Sequence, residues 1–151
     1  MIIKKIILIS LCFLIVSCGF KPVYTKKENF NIAINEMELK GDKKVNRRIV
    51  SALNFSKQNS KDPGYDIEIF SYKSIKTIAK NEMGDASIYR MTIMLDITVK
   101  KGDEIFKSKK FTKNFTYNTL VQKFDLMRYE STIETNLIEK IIEEIKIYLN
   151  T

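Results

Sequence analysis

The sequence predicts an α+β fold: a two-layer sandwich of order β-α-β-β-β-α, with a four-stranded, largely antiparallel sheet and two helices packed on it. Three observations carry this reading. Four stretches alternate apolar and polar residues with the period of two that a half-buried strand requires. Two others repeat apolar residues every three or four positions, as amphipathic helices do. Turn residues separate the six in that order, and a single layer of helices over a mostly antiparallel sheet is the stable way to bury them. At 151 residues there is room for one domain, which buries roughly 70% of the surface its unfolded chain exposes.

The elements follow in order. Phe30, Ile32 and Ile34 alternate with Asn31, Ala33 and Asn35 as a first strand. Gly41-Asp42 offers a cap, after which Val45, Ile49 and Leu53, with Ala52 beside them, mark a first helix. Ser56 to Gly64, holding Asp62-Pro63-Gly64, has turn chemistry and too few apolar groups to pack, so it reads as a loop. A second strand starts at Tyr65, with Ile67 and Ile69 on one face and Phe70 and Tyr72 on the other, and its pattern runs on toward Ile78. Asn81 to Asp85 punctuates. Tyr89, Met91, Ile93, Leu95, Ile97 and Val99 then form the clearest alternation in the chain. A fourth strand carries Ile105, Phe111, Phe115 and Tyr117 on one parity. From Phe124, apolar residues through Ile133, Leu137, Ile141, Ile145 and Leu149 outline a long C-terminal helix, with Glu130, Glu134, Glu139, Lys140 and Glu143 outside the stripe. Its polar face is Glu-rich, whereas membrane-surface helices favour Lys and Arg, so it is expected to pack on the sheet.

The hairpin between the third and fourth strands carries a geometric expectation. A plain two-residue Gly102-Asp103 loop would set Leu95 opposite Lys110, and the two apolar faces would point in opposite directions. An odd-length loop or a bulge at residues 101 to 104 is therefore predicted.

Ahead of the domain, Lys4 and Lys5 precede a predominantly apolar run from Ile6 to Val16, too short for a bilayer span of about 20 residues. It ends in Ile15-Val16-Ser17-Cys18, which resembles the bacterial lipobox. The expected organisation is a lipoprotein signal peptide over 1–17, a lipidated tether over 18–29 and a single α+β domain over 30–151. Acylation of Cys18 implies anchoring in outer-membrane lipid, since each buried methylene contributes about 0.8 kcal/mol and two or three chains hold where one does not. Gly19, where inner-membrane retention favours Asp, points to the outer membrane.

Composition narrows the function. There is no His, and the cysteines are Cys12 and Cys18, so imidazole bases, Cys/His zinc sites and disulfides within one mature chain are excluded. Carboxylate catalysis lacks any recognisable paired motif, so no enzyme activity, metal or cofactor is expected. The net charge of +8 comes from 22 Lys and only four Arg beside 23 Ile, a bias that weakens it as a functional sign, and nucleic acid is not an expected partner of an exported chain. Asp62, Asp66 and Glu68 lack calcium-loop spacing and read as a solvated loop. Asn54-Phe55-Ser56 and Asn114-Phe115-Thr116 read as chance sequons.

The string Cys18-Gly19-Phe20-Lys21-Pro22-Val23-Tyr24, with Ala86-Ser87-Ile88-Tyr89-Arg90 leading into the third strand, Tyr117-Asn118 closing the fourth and a charged C-terminal helix, resembles the lipopolysaccharide-assembly lipoprotein family LptE. The resemblance implies this same element order and a non-catalytic role at the periplasmic side of the cell outer membrane. There, LptE proteins partner and plug the β-barrel protein LptD, assist its assembly and help deliver lipopolysaccharide to the outer leaflet. It also implies contact with lipopolysaccharide, for which basic side chains suit the lipid A phosphates. The candidates are Arg90, Lys107, Lys109, Lys110 and Lys113. Three of those lysines share parity with Phe111 and Phe115, so either the fourth strand is an edge whose lysines reach outward and block aggregation, or that face meets a partner. The alternative function is another envelope interaction lipoprotein: a barrel accessory, a secretin pilot or a transport auxiliary subunit.

Overall fold

The computed structural model describes residues 34–55 and 64–150. The signal peptide, Cys18, the tether, Phe30 and Ile32 of the first strand, and the loop up to Pro63 lie outside the described residues. The elements are β1 (Ile34–Gly41), α1 (Lys43–Leu53), β2 (Tyr65–Lys80), β3 (Ala86–Lys101), β4 (Glu104–Asn118) and α2 (Lys123–Asn150). The sheet order is β1-β2-β3-β4, with β1 parallel to β2 and the other neighbours antiparallel. The α+β sandwich of the sequence pattern is the fold observed, with one parallel pair bridged by α1, since parallel strands need a long crossover.

The odd-numbered residues of the sheet make the core. Met91, Ile93, Leu95, Ile97 and Val99 of β3 are all at most 1% exposed, beside Ile67 and Ile69 of β2 and Phe111 of β4. Each such side chain stabilises the fold by about 1.5–3 kcal/mol relative to an exposed position. Above them α1 buries Val45, Ile49 and Leu53, and α2 buries Ile133, Leu137, Ile138, Ile141, Ile145 and Leu149.

The hairpin resolves the parity conflict with a bulge at Phe106, two residues beyond the range 101 to 104 in which the pattern placed it. The turn is a plain two-residue Gly102-Asp103 loop, with Lys101 facing Glu104 and Lys100 facing Ile105, and Gly102 takes the positive φ of 61° that such turns favour. The register then shifts: Val99 faces Lys107, leaving Phe106 as the extra residue of a bulge inside β4. From there Leu95 faces Phe111 and Met91 faces Phe115, so the apolar parities coincide.

Two elements differ from expectation. The first strand continues from Ile34 to Gly41, through residues expected to lie beyond it. A register irregularity between Ile34 and Met37 breaks the alternation, and as an edge strand β1 buries little, so its pattern is faint. Glu134, expected outside the apolar stripe of α2, is 3% exposed. Its Oε2 accepts hydrogen bonds from Lys44 Nζ of α1 and Lys73 Nζ of β2, both at 3.1 Å, and its Oε1 lies 3.0 Å from Lys44 Nζ. The carboxylate therefore joins three elements at one point.

The junction of β1 and α1 is equally specific. Asp42 caps the helix, its Oδ1 accepting from Lys44 N at 2.9 Å and Val45 N at 3.0 Å. Its own N–H donates to Ser71 O at 3.1 Å, which draws the chain so close to β2 that a Cβ on Gly41 would sit 1.8 Å from Ser71 O, at a φ of 93°. Gly41→Ala should therefore destabilise by more than about 1 kcal/mol in urea titrations; unchanged stability would show that the junction relaxes freely.

Burial pushes the Glu134 carboxyl up, but the hydrogen bonds and charges of Lys44 and Lys73 outweigh it and hold the group below the ordinary glutamate range. A depressed folded value means the stabilisation is complete above the unfolded value and is lost as pH falls through the folded one. Glu134→Gln should cost roughly 1.5–3 kcal/mol at neutral pH, toward the lower end because Lys44 stays half-exposed. The gap between variant and parent should close on acidification. A gap of constant size from neutral to strongly acid pH would contradict the assignment.

Candidate functional site

Because both helices pack on the odd-numbered side, the even-numbered side of β2, β3 and β4 carries no helix among the described residues. Alternation puts Phe70 and Tyr72 of β2, Arg90, Thr92, Met94, Asp96 and Thr98 of β3, and Lys110, Thr112, Asn114 and Thr116 of β4 on this face. Register places Met94 between Tyr72 and Thr112, and Asp96 between Phe70 and Lys110. Phe70 and Tyr72 are 43% and 50% exposed, large aromatics left on a solvent-facing surface.

Polar ties lie across the strands of this face. Arg90 Nε donates to Thr116 Oγ1 at 3.1 Å, and the hydroxyls of Thr98 and Ser108 share a hydrogen bond of the same length. Lys110 Nζ approaches Asp96 Oδ2 at 3.7 Å, and Lys100 Nζ donates to Glu68 Oε1 at 2.5 Å. That hydrogen bond holds the Glu68 carboxyl below its ordinary range. Such a face offers aromatic contact area and a field of hydroxyls, amides and charges, arranged to meet a broad surface rather than to enclose a small molecule. A cavity of about 540 Å³ lies elsewhere, between β1 and the end of α1, with Glu36 as the one titratable group among its described lining residues.

The five basic candidates do not form one site. Arg90 and Lys110 are on the open face, separated by six residues along the β3–β4 register, or about 20 Å. Lys107, Lys109 and Lys113 lie on the helix side. Lys107 Nζ reaches the last carbonyls of α2, Tyr148 O at 3.3 Å and Leu149 O at 3.5 Å, where a cation complements the helix dipole. Lys109 Nζ sits 5.1 Å from the ring centres of Phe111 and Tyr148. Lys113 pairs with Glu144. The parity conflict of these lysines thus has a structural answer: they are edge residues draped over the end of α2. Cys18 lies outside the described residues.

Sequence reasoning placed Phe70 and Tyr72 on the face opposite the core but attached no role to them. The alternation of the third strand sets Thr92, Met94 and Asp96 opposite its apolar row, and the register adds Thr112 and Thr116 of β4, which sequence reasoning did not name, to the same face. The signal was available in the even-numbered positions of β3 and β4, which between Arg90 and Thr98 and between Ser108 and Asn118 are polar except for Met94.

Fold and site together define a helix-backed sheet domain with one face that no described helix covers. The same fold occurs in three solved lipoproteins. The rare lipoprotein B of Shewanella oneidensis superposes with a TM-score of 0.58 at 12% identity, over 77% of this chain and 94% of that one. The minor lipoprotein of Acinetobacter baumannii gives 0.55 at 11% identity, over 76% and 89%. Lipoprotein B of Nitrosomonas europaea gives 0.51 at 7% identity, over 80% and 87%. At such identities the likeness is one of fold. No protein-family model and no curated protein sequence matches the chain.

Proposed function

We propose that the chain is an outer-membrane lipoprotein of the LptE type, anchored at the periplasmic side through acylated Cys18. In this reading it partners and plugs the β-barrel LptD, assists its assembly and helps deliver lipopolysaccharide to the outer leaflet, without catalysis or cofactor. The observation that carries the reading is a lipobox-like Ile15-Val16-Ser17-Cys18 set before a domain whose fold recurs in lipoproteins of other bacteria. A rigid two-layer domain with an exposed, aromatic-bearing sheet face suits a partner that surrounds it. The lipid holds it at the membrane and leaves recognition to the sheet and loops.

For lipopolysaccharide, Arg90 and Lys110 are better placed than the other three candidates, whose charges are already directed at α2. The Arg90→Glu, Lys110→Glu double variant should weaken binding to purified lipopolysaccharide by about tenfold for each charge reversed, at a modest cost in thermal stability from the lost Asp96 and Thr116 contacts and with the fold retained by circular dichroism. Unchanged binding would remove these two residues from the site while leaving the barrel partnership standing.

The partnership has its own test. Affinity purification of the tagged, lipidated chain from outer membranes should recover a large β-barrel protein in stoichiometric amount. Recovery of the lipoprotein alone at native expression would sink the reading.

A further inference from the structure

β1 and β2 are unequal partners. β1 has 8 residues and β2 has 16, and their pairing ends where Gly41 meets Ser71. At that point the chain turns away into α1, so beyond Ser71 no described strand pairs with the outer edge of β2. The ladder to β3 is regular as far as Thr77, after which shifts between Thr77 and Ala79 and between Ala79 and Lys80 break it. Among the described residues, 72 to 77 thus form an open strand edge about 20 Å long, bounded by β1 below and by irregular backbone above.

The direction of its backbone groups follows from one hydrogen bond. Ser71 O points outward, because it accepts from Asp42 N at the β1 side. Alternation then turns the N–H and C=O of Lys73, Ile75 and Thr77 to the same outer edge, while those of Tyr72, Ser74 and Lys76 turn toward β3. Two apolar side chains flank the edge, Tyr72 on the open face at 50% exposure and Ile75 on the helix side at 42%.

Charge selects the occupant. Lys76 and Lys80 lie along this half of β2, opposite Arg90 and Ala86 of β3, and make no ion pair among the described residues. At the start of α1, next to Ser71, the Asp42 carboxylate already caps the helix and Lys44 is held by Glu134, so the positive charge available to an occupant is that of Lys76 and Lys80. The nearest carboxylates of the β2–β3 hairpin, Glu82 and Asp85, lie in its turn. Glu134 is occupied by Lys44 and Lys73. A second copy of this chain pairing edge to edge would bring a strand carrying Lys73, Lys76 and Lys80, and no carboxylate between Tyr72 and Lys80, alongside the same lysines, which like-charge proximity across strands disfavours.

We propose that the outer edge of β2 from Tyr72 to Thr77 is a strand-addition site for an extended segment of a partner protein, in which acidic residues alternate with apolar ones. The partner's main chain adds to the edge at Lys73, Ile75 and Thr77, its apolar side chains pack beside Ile75 on the helix side, and its carboxylates, on the open face, meet Lys76 and Lys80. The site stands independently of lipopolysaccharide binding.

A seven-residue peptide alternating Glu and Val, titrated into the mature chain and followed by amide NMR, tests it. The amides of Lys73, Ile75 and Thr77 should shift and gain exchange protection, and a Lys/Val peptide should leave them unmoved. Ile75→Pro removes an outer-edge donor without touching the β3 ladder, and should weaken the Glu/Val peptide at least about tenfold, whereas Ile75→Ala, which keeps the N–H, should weaken it far less. Lys76→Glu, which needs no backbone change, should weaken it as well. Unperturbed amides, equal binding of the two peptides, or equal binding by Ile75→Pro and Ile75→Ala would overturn the proposal. So would a concentration-dependent dimer that Ile75→Pro abolishes, since that makes a second copy the occupant.

Discussion

The extra residue at Phe106 is the constraint on which the rest of the structure depends. β3 commits its odd-numbered side chains from Met91 to Val99 to the core, and a two-residue turn in unbroken register would bring β4 back with its apolar parity reversed. One bulge corrects this for the whole strand. It puts Phe111 beside Leu95 and Tyr117 beside Tyr89, whose rings stack at 5.8 Å, and with Tyr129 of α2 they close the far end of the core. Tyr117 then donates its hydroxyl proton to Glu130 at 2.7 Å, and burial together with that carboxylate pushes its ionisation well above the ordinary tyrosine range. A correction made next to the turn thus determines which surface α2 meets some thirty residues later.

The same correction sorts the charges. Once β4 is in register, Lys107, Lys109 and Lys113 fall on the helix side and Lys110 on the other, although all four belong to one short run. The helix-side lysines find the carbonyls, ring and carboxylate at the C-terminal half of α2, and Glu134 finds Lys44 and Lys73 in its N-terminal half. α2 is therefore fixed along its length by polar contacts as well as by its apolar stripe. A chain with 23 Ile and 22 Lys needs such placement, because apolar contacts alone specify position weakly when so many are alike.

What remains uncovered follows from what is covered. Both helices lie on one side, so Phe70, Tyr72 and the polar rows of β3 and β4 face away from them, and β1 turns into α1 at Gly41, so that no described strand covers the outer edge of β2 beyond Ser71. Face and edge are separate surfaces, one broad and side-chain-rich, the other narrow and presenting main chain. An interaction protein held by a lipid can use both without competition between them.

The sequence by itself determined the elements whose information is local. The alternation of β3, the spacing of Val45, Ile49 and Leu53, and the cap at Asp42 each require a particular backbone geometry wherever they occur, and the parity conflict at the hairpin required a bulge. Phe70 and Tyr72 were legible as the face opposite the core for the same reason. Only the tertiary structure decided the rest. Burial of Glu134 depends on two lysines 90 and 61 residues away, and the parallel pairing of β1 depends on a crossover whose path no local pattern encodes. The division of the basic candidates between two faces was implicit in their parity. Their engagement was not, because a side chain's partner is set by the path of another element, and α2 reaches β4 only once the sheet beneath it is built.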